Sequence, residues 1–284
     1  MKADCHIHML LDGEYWKAAI DNHRNSPDII LIRSRLEEYA KAGFAYLRDG
    51  GDRWGVGKAA REIAGEYGIT YKTPYANLCH AGHYGSFIGE KFENLKEYTD
   101  LVTKTRLEGG DFIKIMISGI MDFDRFSALS EPGLEEGEIR ELIRIAHEEG
   151  LAVMAHANGA RTVEAAAEAG LDSVEHGAYL DQAALSAMVK NGTIWCPTVS
   201  AYANLRGKGR FKEEAVQAIC ESAAENIRAF TRMGGILAPG SDAGAWAVPH
   251  VTGSGDEYTH LKSILGEDAG QILQKGIKAV MKKF

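Results

Sequence analysis

Short apolar segments alternate with longer amphipathic segments along this chain. Eight of the apolar segments have the length of a β-strand, and each is followed by a stretch with the 3.6-residue period of a helix. In the stretch 134–149, for example, Ile139, Leu142 and Ile143 fall on one face and Arg144 lies opposite. The pattern therefore predicts eight strand–helix units.

The predicted elements have the following bounds. We expect strands at 3–9, 44–48, 70–78, 112–118, 152–157, 173–176, 194–199 and 236–241. We expect helices at 30–42, 57–67, 95–108, 134–149, 160–169, 181–190, 212–233 and 268–283. Glycine follows most of the predicted helices, as is typical of a residue that ends a helix in the left-handed conformation.

Eight consecutive strand–helix units favour an α/β fold in which a parallel sheet closes into a single (β/α)8 TIM barrel spanning residues 1–284. An open doubly wound sheet is the alternative, but no G-x-G-x-x-G sequence follows the first strand. The segments 10–29, 80–94, 119–133, 200–211 and 242–267 are predicted as long loops after strands. Long loops at the carboxyl ends of barrel strands are where such folds hold active sites.

Composition narrows the classes of partner. The formal net charge of −8 argues against nucleic acid, which binds basic surfaces. No apolar run approaches the roughly 20 residues of a membrane span, and the first residues lack the apolar stretch of a signal peptide. The four cysteines are widely scattered, which favours free thiols in a reducing cytoplasm. We expect a cytoplasmic protein that acts on a small molecule.

Polar side chains able to bind metal stand at or near the ends of five predicted strands. His6 and His8 are two residues apart, so both imidazoles point to the same side of the first strand. Burying such groups at the end of an apolar strand is costly unless they are paired or coordinated. Their repetition on separate strands predicts one metal site built from six residues: His6, His8, Lys114, His156, His176 and Asp242.

The segments around these residues resemble the amidohydrolase superfamily over nearly the whole chain. They are Asp4-Cys-His-Ile-His8, Ile113-Lys-Ile-Met116, Ala155-His-Ala-Asn-Gly159, Ser173-Val-Glu-His-Gly177 and Gly240-Ser-Asp-Ala-Gly244. The resemblance is greatest to the branch of imidazolonepropionase-related prolidases and Xaa-Pro or Xaa-Arg dipeptidases. Most members of this branch have a small accessory β-sandwich. We expect this chain to lack the accessory β-sandwich. We expect the ends of the barrel to be covered by another subunit in a homo-oligomer.

The resemblance implies a centre of two divalent metal ions, with zinc as the expected metal. In that branch the lysine of the fourth strand is carboxylated by CO2, which assigns a bridging carbamate to Lys114. His6, His8 and Asp242 would bind one metal, and His156 and His176 the other. The metals would share a hydroxide, and Asp242 would transfer its proton to the leaving nitrogen.

Several assignments keep an alternative. The resemblance makes His83 a residue that contacts the substrate carbonyl, but it could equally be a solvated loop histidine. Tyr202 could bind a substrate carboxylate or simply pack in the core. Lys114 could instead be a surface lysine or an ion-paired lysine.

Three further interpretations concern residues outside the metal set. Strand alternation predicts that Glu175 points away from the metals. Arg48 and Asp49 are interpreted as a structural ion pair at the barrel rim. The run 208–212 is interpreted as a solvated loop edge.

The expected reaction is hydrolysis of a C–N amide-type bond in a small polar substrate, with a dipeptide or an N-acyl amino acid favoured. One alternative is deamination of a heterocycle by a single metal, although Lys114 would then have no bridging role. The other is an inactive barrel that binds a small molecule, which would not require all six ligands.

Overall fold

The computed structural model describes residues 1–284. Its strands are β1 (Lys2–Ile7), β2 (Phe44–Asp49), β3 (Thr70–Lys72), β4 (Asn77–His80), β5 (Glu90–Phe92), β6 (Ile113–Met116), β7 (Val153–Ala157), β8 (Ser173–His176), β9 (Ile194–Cys196) and β10 (Ile236–Leu237). Its helices are α1 (Trp16–His23), α2 (Ile29–Lys41), α3 (Val56–Ala64), α4 (Leu95–Glu108), α5 (Glu136–Glu148), α6 (Ala160–Glu168), α7 (Gln182–Asn191), α8 (Ser200–Ala203), α9 (Glu213–Arg232), α10 (Thr252–Leu265) and α11 (Ala269–Lys283).

The strands pair in parallel throughout. They form one sheet in the order β1-β2-β3 and a second in the order β10-β9-β8-β7-β6-β4-β5. Beyond the regular strands, Asp242 N donates to His6 O at 2.8 Å and Cys5 N donates to Pro239 O at 2.9 Å. These bonds connect β1 to the segment after β10. An α/β fold with parallel strands is therefore confirmed, with the regular strands divided between two sheets rather than one uninterrupted ring.

Helices cover the outer side of the sheets and bury the strands almost completely. All five residues of β7 and all four of β6 and β8 are buried. The largest apolar cluster lies between the second sheet and helices α4, α5, α6, α7 and α9. Helix α11 packs so closely against strand β10 that a Cβ on Gly276 would overlap the backbone oxygen of Leu237. This packing leaves the ends of the strands as the place for polar groups.

The structure differs from the predicted elements mainly inside the predicted loops. Helices α1, α8 and α10 and strand β5 lie in segments predicted as loops. Helix α10 has few apolar residues and buries Glu257 on its inner face, so its hydrophobic period is weak. The predicted strand 70–78 is interrupted because Pro74 lacks an N–H and Tyr75 has a φ of 66°. None of the helices combines the length and the apolar character that a membrane span requires.

Candidate metal centre

The six predicted ligands meet at one cavity. His8 directly follows β1, Lys114 lies within β6, and Asp242 follows β10. A cavity of about 470 Å³ is lined by all six side chains: His6, His8, Lys114, His156, His176 and Asp242. The carboxyl ends of parallel strands therefore bring together the residues that the sequence pattern indicates.

Three of these side chains form a compact group. Asp242 Oδ1 lies 3.2 Å from His8 Nε2 and 3.5 Å from His6 Nε2, and the two Nε2 atoms are 3.3 Å apart. One ligand atom from each residue falls within 4.8 Å of the others, which is the spacing of groups that could hold a metal ion. Burial alone would raise the pKa of Asp242, but the nearby His8 and His6 rings lower it below its usual value. The carboxylate is therefore ionised at neutral pH.

His156 and His176 form the opposite wall of the cavity. Their ring centroids are 4.5 Å apart, and that of His176 is 5.1 Å from that of His6. His176 Nδ1 is 2.7 Å from Thr198 Oγ1, and His156 Nε2 is 3.1 Å from Gly119 O. Each ring therefore has one nitrogen fixed by a neighbour and one left to bind a ligand, as is typical of metal-binding histidines.

Burial lowers the pKa of His6, His156 and His176, which favours the neutral rings that metal binding requires. Desolvation and the charge of Lys114 lower the pKa of His6 to about 4 and that of His156 to about 3. The same burial, together with the neighbouring histidines, lowers the pKa of His176 well below its ordinary value.

Among the side chains that line this cavity, Lys114 has a buried polar atom without a hydrogen-bond partner. It is 1% exposed, and its Nζ atom has no hydrogen-bond partner although it is buried. Burial, opposed in part by the charge of Glu175, lowers the pKa of the amine to about 8. An unsatisfied buried amine is costly, so this geometry fits a lysine that is modified or engaged by a bound group.

Glu175 corrects one prediction, because its side chain points inward rather than away from the ligands. Its carboxylate accepts from His6 Nδ1 at 2.7 Å and from Arg48 Nη2 at 2.7 Å, and all three side chains are fully buried. Burial would raise the pKa of Glu175, but Arg48 and the His6 hydrogen bond outweigh it and lower the pKa to about 2. Glu175 thus fixes the orientation of the His6 ring, leaving His6 Nε2 facing the cavity.

The ring of His176 reaches the cavity because its backbone departs from the extended conformation. Alternation along β8 places Glu175 on the inner side, so His176 would face outward. A φ of 69° at His176 turns its ring inward as well. Asp242 has a similar φ of 62°. Both residues therefore occupy the left-handed region, which non-glycine residues adopt at a cost in free energy.

The predicted ion pair between Arg48 and Asp49 is absent. Arg48 pairs with Glu175, whereas Asp49 accepts from Met9 N at 2.8 Å and from Tyr71 Oη at 2.9 Å. Adjacent residues on a strand point to opposite sides, which explains why the two charges separate. Both residues nevertheless have structural roles beneath and beside the centre.

An adjoining cavity of about 410 Å³ shares part of its wall with the first one, and Tyr84 lines both cavities whereas His83 lines neither. Tyr84 N donates to Glu131 at 2.6 Å, which fixes the loop so that the Tyr84 ring faces inward, 4.7 Å from the ring of His156. His83 lies at the surface, with Nδ1 3.7 Å from Glu131. The aromatic residue next to the predicted histidine gave no separate signal in the sequence.

Tyr202 packs in the core and lines neither cavity. It is 3% exposed and belongs to the largest apolar cluster. Ala201 in the short helix α8 and Leu205, just after its end, line the 410 Å³ cavity instead, because residues four apart lie on one side of a helical segment. Tyr202 would therefore need a rearrangement of α8 to reach a substrate.

Comparison with known proteins now identifies the family. The profile described as the amidohydrolase family matches residues 4–209. The chain belongs to the amidohydrolase family. The chain is 26% identical to ochratoxinase from Aspergillus niger over 192 residues. The match covers 64% of this chain and 38% of ochratoxinase. The match thus spans well under half the length of the curated relative.

Solved structures support the amidohydrolase fold. A Xaa-Pro dipeptidase with methionine in its active site has a TM-score of 0.76 and 20% identity, covering 99% of this chain and 75% of the other. The structure of A. niger ochratoxinase has a TM-score of 0.76 and 20% identity, covering 98% of this chain and 68% of the other. At these identities the similarity shows a shared fold.

Proposed function

We propose that this protein is a metal-dependent amidohydrolase that cleaves a C–N amide bond in a small molecule. The observation that carries the proposal is the buried, unpartnered amine of Lys114 in a cavity shared with four histidines and Asp242. The amide-cleaving relatives named above support the reaction class. The hydrogen bonds that link β1 to the segment after β10 support a closed (β/α)8 barrel as the frame.

The residues present fit a pair of divalent cations. His6, His8 and Asp242 would hold one, and the free nitrogens of His156 and His176 would hold the other. Imidazole and carboxylate ligands suit zinc, although manganese, iron and cobalt share this preference. When bound, such ions polarise a carbonyl group and lower the pKa of water towards 7.

As a carbamate, Lys114 would connect the group of His6, His8 and Asp242 with the pair of His156 and His176. Its pKa of about 8 leaves part of the amine neutral at physiological pH. The neutral nitrogen adds to the carbon of CO2 and loses one proton to solvent, which gives an anionic group with two oxygens. This change replaces an unsatisfied buried amine with a ligand shared between both halves of the site.

Asp242 would move the proton during hydrolysis. Its carboxylate is ionised at neutral pH and faces the cavity beside His8. The water oxygen bonds to the amide carbon, Asp242 accepts a water proton, and the same proton passes to the leaving nitrogen as the C–N bond breaks. The products are a carboxylic acid and an amine.

Metal content tests the proposal against its alternatives. Purified protein should contain about two equivalents of divalent metal, whereas a single-metal deaminase would contain about one and a binding protein none. Lys114→Met should lose metal and amide hydrolysis together. Protein grown with 13C-labelled bicarbonate should show a carbamate carbon signal that Lys114→Met lacks.

The role of Asp242 has its own test. After added zinc restores its metal content, the Asp242→Asn variant should show no turnover. Full turnover by zinc-loaded Asp242→Asn would exclude the proton-transfer role.

A further inference from the structure

The space beside the candidate centre is divided into two lobes. The first, of about 410 Å³, has an aromatic wall of Phe123, Phe211 and Trp246. The second, of about 470 Å³, has Trp16 and Phe87 on its outer side, with ring centroids 5.3 Å apart. Aromatic walls of this kind bind apolar or aromatic groups in preference to small polar ones.

Both lobes share the wall where the chemistry would occur. The side chains common to the two include His156, His176, Asp242 and Tyr84. A bond held at this wall would have one half of its molecule in each lobe. Both halves of the substrate would therefore be apolar or aromatic.

Arg210 lies where the two lobes meet and lines both. Its guanidinium carbon stands 4.4 Å from the ring centroid of Trp246 and 5.3 Å from that of Phe211. Stacking on aromatic rings orients a guanidinium while leaving its N–H groups available to a ligand. The run 208–212 is thus more than a solvated loop edge.

Arg210 has no acidic partner within the protein. No carboxylate lies within 4.0 Å of its nitrogen atoms, and it donates no hydrogen bond. Among the acidic residues of the lobe walls, Asp122 is paired with Arg125 at 2.7 Å and Asp242 is paired with His8. Glu14, in the second lobe only, is an exposed residue without a cation partner. The guanidinium at the junction is therefore free to pair with an anion.

We propose that Arg210 binds the carboxylate of an N-acyl amino acid whose acyl group and side chain are both apolar or aromatic. This inference rests on the proposed amidohydrolase function and names the substrate class of the same site. The α-carboxylate of such a substrate is two bonds from the scissile nitrogen, which suits a cation at the junction of the lobes. Hydrolysis adds water across the C–N bond and releases the acyl acid and the free amino acid.

Two matched pairs of substrates test the two parts of this inference. N-benzoyl-phenylalanine and its C-terminal carboxamide differ only in the anionic group, and release of benzoate reports cleavage of the same bond in each. N-acetylglycine keeps the carboxylate but removes both apolar groups. The variants are Arg210→Gln, Arg210→Lys and the control Lys208→Gln, which alters an exposed cation of the same loop that lines neither lobe.

The zinc-loaded wild type should prefer the acid over the carboxamide by roughly 10- to 100-fold in kcat/KM, as a hydrogen-bonded charge pair provides. Arg210→Gln should remove this preference, mostly through KM, and Arg210→Lys should keep part of it. Lys208→Gln should retain it. N-acetylglycine should be a poorer substrate than N-benzoyl-phenylalanine.

The possible contrary results separate the claims. Equal kcat/KM for acid and carboxamide, or a preference that survives in Arg210→Gln, overturns the carboxylate site. N-acetylglycine cleaved as well as N-benzoyl-phenylalanine overturns the apolar lobes. If neither substrate is cleaved, calorimetry on the same zinc-loaded protein measures binding instead. Binding of N-benzoyl-phenylalanine that Arg210→Gln weakens supports the carboxylate site while the proposed hydrolysis fails. Equal binding of the acid and the carboxamide overturns both.

Discussion

Glu175→Gln tests how much the buried charge pair beneath the centre contributes to folding. In the native protein the Glu175 carboxylate accepts from Arg48 and His6, each at 2.7 Å, and the pair has no exposure to solvent. Glutamine preserves the size of the side chain but removes its charge. The Arg48 guanidinium would then be a buried cation without a counter-charge, which is strongly destabilising.

Breaking a buried pair in this way costs about 3–5 kcal/mol. For a chain of this length, that loss corresponds to a decrease in Tm of about 6–20 °C. Adding Arg48→Met should recover much of the loss, because no buried charge then remains. Thermal unfolding of chelator-treated protein, followed by circular dichroism, would measure both effects without a contribution from bound metal.

The matched control is Glu148→Gln on the exposed face of α5, where Glu148 pairs with Arg144 in solvent. This change should leave the Tm unaltered. A Glu175→Gln protein as stable as the wild type, or a double variant less stable than Glu175→Gln, would refute the reasoning from an unpaired buried charge.

Three other expectations concern packing, substrate contact and pH. Gly276→Ala should lower the free energy of unfolding in urea by about 1–3 kcal/mol, since the added Cβ has no room. The control Gly270→Ala in the same helix places its Cβ in open space and should be neutral or stabilising. Tyr84→Phe should keep the metal content but lower kcat/KM for N-benzoyl-phenylalanine by roughly 3- to 10-fold, because one hydrogen bond from the Tyr84 hydroxyl to the substrate is lost. An unchanged kcat/KM would exclude that hydrogen bond. In metal-free protein the folded pKa values of His6 and His156 are about 4 and about 3, below the ordinary 6.5, so the unfolded chain binds more protons. Stability should be full above pH 6.5 and decrease as pH falls towards these folded values, and a flat urea midpoint across that window would contradict the shifts.

The alternation of strands and helices, together with the polar residues that end the strands, was sufficient to predict the α/β class and the six residues at the cavity. Such positions are conspicuous because a histidine or lysine is unusual within an apolar run. Residues whose placement depends on loop backbone were not accessible in this way. Tyr84 faces the cavity because of a hydrogen bond to Glu131, 47 residues away, and Arg210 depends on stacking against Trp246.

Glu175 shows a different limit. If His176 is the inward residue of β8, period-two alternation predicts that Glu175 points outward, and that prediction is wrong. The left-handed backbone at His176 allows both side chains to point inward. A pattern argument assumes regular dihedral angles, and it fails where a functional residue departs from them.

The left-handed conformation of His176 has a consequence for engineering this protein. Glycine or asparagine would occupy that backbone with less strain, by on the order of 1 kcal/mol. Directed evolution for heat resistance alone should therefore accumulate those substitutions at this position and eliminate a side chain of the proposed metal centre in the process. Libraries intended to yield a hardier catalyst should hold this codon constant.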